Sequence, residues 1–217
     1  MTDKNTKNKS FVSGAVILGL AGILVKVLGA AFRIPLGNII GDDCMGYYQT
    51  AYPIYVFFLT IATAGIPTAI SRMVAERYAL GQPYEAHRVF RISTILLCAT
   101  GVVSASVLFF GAGLITDMIL EPGAIYCMKA ISLALIFVPL MGSYRGYFQG
   151  RQNMRPTAVS QFVEQLFRVA VGLSLAVLLL PKGLPIAAAG ASFGATAGGI
   201  FGFLGMLIIY KKHKTIF

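Results

Sequence analysis

Two stretches of otherwise apolar sequence carry ionisable and amide side chains at helical spacing. Ala15, Gly19, Gly22, Lys26, Gly29 and Arg33 follow one another in steps of three and four, which puts all six on one face of a helix. The two cations stand about 10 Å apart along the axis at 1.5 Å per residue. The small residues between them let a ligand or a second helix come close. Thr157, Gln161, Glu164, Gln165, Arg168 and Gly172 form a second stripe, about 22 Å long on the same arithmetic. Glu164 precedes Arg168 by four residues, the favourable order for an intrahelical pair. Fixed cations in a low-dielectric setting attract negative charge strongly. Lys26, Arg33 and Arg168 are therefore candidate contacts for an anionic group, with Gln161, Glu164 and Gln165 as polar neighbours. Two readings remain open for each stripe. Lys26 and Arg33 either face a cavity or snorkel to headgroups, and the second stripe lines water or joins helices.

The surrounding chain decides what kind of element carries these residues. Of 217 residues, 57% are hydrophobic and 12% charged, with 24 glycines besides. Soluble domains carry about 25% charged residues. Mean hydropathy is +0.76. This composition excludes a disordered chain, a nucleic-acid-binding domain and an ordinary soluble enzyme, and identifies a membrane protein. The net charge of +10 then reads as loop charge, with no nucleic acid implied.

Backbone groups find no partners in lipid, so a spanning segment is a helix or part of a closed barrel. The apolar runs are too long and too unbroken for barrel strands. At about twenty residues per span, the sequence predicts an all-α, polytopic six-helix bundle with spans near 11–34, 46–71, 89–115, 124–147, 157–180 and 185–210. A basic segment, 1–10, precedes them, and a basic tail, 211–217, follows. The first run is too long for a signal peptide's apolar core and is expected to remain as a span. Lys4, Lys7, Lys9, Arg72, Arg77, Arg88, Arg91, Arg145, Arg151, Arg155, Lys211, Lys212 and Lys214 fall on one side of this arrangement. Arg33, Lys129 and Lys182 fall on the other, with Asp42, Asp43, Asp117 and Glu121. The positive-inside rule puts both termini in the cytoplasm.

The remaining features are structural in character. Gly190, Gly194, Gly198 and Gly202 recur every fourth residue and make a smooth ridge for helix–helix packing. Pro53, Gly65 and Pro67 interrupt the second span and could act as a hinge. Its tyrosines, Tyr47, Tyr48, Tyr52 and Tyr55, fit an interfacial belt. Cys44, Cys98 and Cys127 show no metal-ligand or disulfide spacing. Asp42 and Asp43 beside Gly41 read as a solvated turn. His87 and His213, next to cations, read as solvated loop residues. Segment 72–88 reads as a brief amphipathic connection ending at Gly81-Gln82-Pro83. No phosphate-binding loop, zinc motif, nucleophile elbow or cofactor motif is present, so no enzyme, metal or cofactor is expected.

Several segments resemble the stage V sporulation protein B and polysaccharide-transporter family. They include Ser13-Gly14 through Val25-Lys26-Val27-Leu28-Gly29, Arg33-Ile34-Pro35-Leu36, Tyr52-Pro53, and Ala64-Gly65-Ile66-Pro67-Thr68-Ala69-Ile70-Ser71-Arg72. The most specific are Tyr144-Arg145-Gly146-Tyr147-Phe148-Gln149-Gly150, then Asn153-Met154-Arg155-Pro156-Thr157-Ala158 and Glu164-Gln165. This family lies in the multidrug/oligosaccharidyl-lipid/polysaccharide (MOP) exporter superfamily, which includes the lipid II flippases. The resemblance covers essentially the whole chain.

The resemblance implies two six-helix lobes facing a central cavity, and movement of undecaprenyl-pyrophosphate-linked sugar across the cell membrane by alternating access. This chain is then expected to be the N-terminal lobe, with a C-terminal lobe or a second chain as its partner beside membrane lipids and a lipid-linked saccharide. In the flippases, arginines near the first helix are needed in the cavity, where Lys26 and Arg33 lie here. The arginine of their second helix has no counterpart in 52–70. Glu164 would hold Arg168 or take part in ion coupling. A cation-coupled multidrug exporter of the same superfamily is the alternative, disfavoured because the mid-membrane charge is mostly positive. A non-transporting scaffold or defunct half-transporter is a third reading.

Overall fold

The computed structural model describes residues 2–214, with side chains described from Gly14 onward except at positions 15, 40, 43, 213 and 214. Its elements are helices α1 (Thr2–Thr63), α2 (Ile66–Ala79), α3 (Pro83–Ile119), α4 (Ala124–Ser132), α5 (Ala134–Gly150), α6 (Arg155–Leu179) and α7 (Leu184–Lys214), with one short 3₁₀ turn at Leu180–Lys182. Six helical stretches are long and apolar enough to cross a membrane: Val16–Ile39, Cys44–Ala79, Pro83–Ile119, Ala124–Gly150, Arg155–Lys182 and Leu184–Lys212. The bundle is all-α and polytopic.

The spans reach further than hydropathy alone placed them. The first continues through Pro35 to Ile39 and turns at Gly41, whose φ of 72° and ψ of 175° leave the helical region. A residue without Cβ takes such a backbone at no steric cost. Arg33 lies inside this helix, as the expected first span also had it. Asp42, just past the turn, is exposed. In the second span Pro53 sits within continuous helix, and the interruption comes at Ala64 (φ 35°) and Gly65 (φ 74°). Pro67, in the first turn of α2, has no N–H to donate to the preceding turn. Thr100 Oγ1 of α3 donates to the carbonyl of Ala62 at 2.9 Å. In lipid such a cross-helix bond replaces the partner that water supplies elsewhere.

The spans alternate in direction, and contacts at each end show it. At one end, a Cβ on Gly14 would stand 3.0 Å from Met154, and the Tyr78 and Tyr147 hydroxyls lie 3.2 Å apart. At the other end Cys44 Sγ donates to the Leu184 carbonyl at 2.6 Å, and Gly123 fits under the Tyr47 ring. The core is built largely from small residues, among them Ala51, Ala112, Ala187, Ala188 and Ala191. That is how helices gain close contact where lipid supplies no hydrophobic drive. Large apolar side chains such as Phe110, Leu114 and Met118 point outward, the arrangement a hydrocarbon surrounding favours.

The glycine ridge of the last span lies against the fifth. A Cβ on Gly194 would stand 2.5 Å from the Arg168 carbonyl oxygen and 2.7 Å from the Gly172 Cα. One on Gly198 would stand 2.5 Å from the Glu164 carbonyl oxygen. Gly190 meets Leu175 and Leu179 of the same helix, and Gly202 meets Glu164 and Met141. The two backbones touch along this line, which fixes the face that α6 turns away from α7.

Candidate functional site

That face, with the first and second spans, walls a half-open cavity of about 380 Å³. Lys26, Gly29 and Arg33 come from the first span, Tyr48 and Tyr52 from the second, and Gln165 and Arg168 from the fifth. The two cationic stripes read from the sequence thus meet across one space. Lys26 and Arg33 are exposed, and neither forms an ion pair or hydrogen bond among the described residues. Gly29 matters for its lack of a side chain, since a Cβ there would come 3.4 Å from Gln165 Nε2.

Of the six residues singled out for binding, Lys26, Arg33, Gln165 and Arg168 line this cavity. Glu164 and Gln161 do not. Glu164 turns toward the fourth span, where its Oε2 accepts a 2.9 Å hydrogen bond from Arg145 Nη2. Its other oxygen stands 3.8 Å from Arg168 Nη2. The Arg145, Glu164 and Arg168 side chains are 17%, 15% and 16% exposed, so the three charges form a chain largely withdrawn from the surface. Arg145 Nε also donates to Ser160 Oγ at 2.8 Å, and that hydroxyl donates to the Thr157 carbonyl. Arg168 Nε and Gln161 Oε1 are buried without a hydrogen-bond partner.

Three sequence assignments change here. Arg145 is no loop cation. The fourth span runs to Gly150 and carries it inside, where Glu164 neutralises it. The tyrosines of the second span are not an outer belt: Tyr48 and Tyr55 are buried, and the Tyr48 and Tyr52 rings stack at 5.9 Å beside the cations. Their spacing at 48, 52 and 55 marks one inward face. His87 is a half-buried helix residue, its ring stacked on Tyr210 at 6.3 Å with 6° between planes. The His213 side chain lies outside those described.

Cys44 and Cys127 are buried and Cys98 half-buried. No group of three or more metal-ligating residues occurs among the described residues. The arrangement offers two approachable cations, a third held from behind by a carboxylate, an amide and two aromatic rings. Such a lining is electrostatically suited to negative charge.

Comparison with known proteins settles the kinship. A family model described as polysaccharide biosynthesis protein matches residues 11–217. The chain belongs to the polysaccharide biosynthesis protein family. It is 33% identical over 212 residues to stage V sporulation protein B of Bacillus subtilis (strain 168), covering 96% of this chain and 40% of that protein. Against the lipid II flippase MurJ of the same organism it is 31% identical over 219 residues, covering 95% and 40%. Against the uncharacterized membrane protein YabM it is 34% identical over 196 residues, covering 90% and 36%. The chain thus spans about two fifths of the length of these relatives. No solved structure matches it. Family membership and six spanning helices together make this member a multi-pass protein of the cell membrane.

Proposed function

We propose that this family member forms one lobe of a flippase that carries a lipid-linked, phosphate-bearing saccharide across the cytoplasmic membrane by alternating access. The observation that carries the reading is the convergence of Lys26, Arg33 and Arg168 on one cavity within the spans. Cations placed at mid-membrane are costly and mark ligand paths. A pyrophosphate linked to sugar and to a polyprenyl tail matches the cations, the Gln165 amide and the tyrosine rings in turn. The similarity to the lipid II flippase of Bacillus subtilis supports the substrate class. The opposite wall is supplied by a second lobe, on a longer chain or a separate one.

Orientation follows from charge. Arg72, Arg77, Arg88, Arg91, Arg151 and Arg155 are all at the bundle end that holds Met154 and Tyr78, together with Lys211 and Lys212. The positive-inside rule makes that end cytoplasmic, and both termini with it. Pro53, Gly65 and Pro67 are proposed as the flexible region of the second span, with the helix break at Gly65 its centre.

The test uses Lys26→Ala and Arg33→Ala in the full-length protein, followed by export of lipid-linked glycan in cells. Both side chains are exposed, so membrane levels are expected to hold while export falls at least tenfold. Undiminished export in the two variants together would overturn the reading.

A further inference from the structure

A second pocket shares no residue with the cavity above. Tyr84, His87, Arg88, Arg91 and Ile92, all from the start of α3, line a space of about 250 Å³. Drug-sized ligand pockets begin near roughly 300 Å³, so this one suits a headgroup better than a saccharide. We propose that it holds the phosphodiester of an anionic phospholipid, bound as a fixed partner of the third span.

Charge gives the first half of the argument. Arg88 pairs loosely with Glu85, at 3.9 Å, and its side chain is 66% exposed. Arg91 is exposed and forms no ion pair among the described residues. Two guanidinium groups three residues apart on one helix can both donate to the oxygens of one phosphodiester. His87 completes the wall, fixed to the last span by its stacking on Tyr210 and by the 3.3 Å contact of the Tyr210 hydroxyl with Nδ1.

The helix face above the pocket gives the second half. Tyr84, Arg88, Arg91, Ile92, Ile95 and Leu96 follow the three-and-four spacing of one face. Ile92, Ile95 and Leu96 are 58%, 64% and 50% exposed, and the stripe continues through Val102 and Val103. A ligand whose phosphate rests on the arginines has its tail already aligned with this apolar track. Free phosphate or a nucleotide would use the cations and leave the track idle. A phospholipid uses both.

The test measures retention of dioleoyl phosphatidylglycerol against dioleoyl phosphatidylcholine by the full chain, using native mass spectrometry after release from neutral detergent. The wild-type chain is expected to keep phosphatidylglycerol preferentially. Arg88→Gln with Arg91→Gln is expected to weaken that retention about 30-fold, the combined effect of two interfacial cations. Arg72→Gln, an exposed arginine at the same end, is expected to leave retention unchanged. Equal retention of the two lipids by wild type would overturn the proposal. So would an equal loss in Arg72→Gln, which means diffuse attraction, or displacement by inorganic phosphate as effective as by short-chain phosphatidylglycerol, which means a plain anion site. Thermal unfolding accompanies each variant. Should the double variant be unstable, Arg91→Gln alone gives the same decision at about fivefold.

Discussion

Glu164 is bound more closely by Arg145, on a different span, than by Arg168, its partner one helical turn away. The distances are 2.9 Å and 3.8 Å. One carboxylate thus serves two half-buried cations, and the group of three keeps a net positive charge at the back of the cavity. Removing the shared partner leaves both arginines uncompensated. Glu164→Gln is expected to cost about 3–5 kcal/mol of stability, the usual penalty for breaking a buried pair. Thermal unfolding in detergent measures it. Arg145→Gln combined with Glu164→Gln is expected to recover part of the loss, and strict additivity of the two would refute the pairing.

Gly29 gives a test of the cavity that leaves its charges alone. Valine at this position sends methyl groups toward Gln165 Nε2, which is 3.4 Å from a Cβ built there. Gly29→Val is expected to lower glycan export severalfold with membrane levels near normal. Full export would mean that the space between the first and fifth spans is not used.

The ridge on the last span yields a paired comparison. Gly194→Ala places a methyl 2.5 Å from a carbonyl oxygen, while Gly205→Ala meets nothing within 4 Å. Forced overpacking costs typically 1–3 kcal/mol. A drop of that size for Gly194→Ala is expected, against a change near zero for Gly205→Ala, both read from unfolding midpoints.

The break in the second span depends on a hydroxyl from the third. Thr100→Val keeps the shape and removes the donor to the Ala62 carbonyl. An unsatisfied buried acceptor costs about 1–3 kcal/mol. Faster proteolysis or hydrogen exchange around 60–67 is the expected readout, and unchanged protection would show that the carbonyl finds another partner.

Much of this bundle was written in the hydropathy of the chain, because lipid punishes any unpaired backbone and leaves long apolar helices as the solution. The period-four glycines from 190 to 202 likewise pointed to a close helix contact, though not to which helix. Spacing alone put Lys26 and Arg33 on one helix face and Gln165 and Arg168 on another, but it put Gln161 and Glu164 with them, and neither of those lines the cavity. Arg145 was not legible, since a cation near the end of an apolar run looks the same whether it meets water or a carboxylate on the next helix. Only the approach of α5 to α6 decides that. His87 was hidden for the same reason: burial of an amphipathic ring depends on neighbours distant in sequence.

The glycine contact between the fifth and sixth spans has a mechanical consequence. Helices whose backbones interlock at Gly172, Gly194 and Gly198 cannot part or slide without losing that contact. The first span is held very differently: 6% of its apolar window is buried within the chain, against 50% for the last. If the space between Lys26 and Arg168 opens and closes, the first span is therefore the part expected to move against the fifth and sixth.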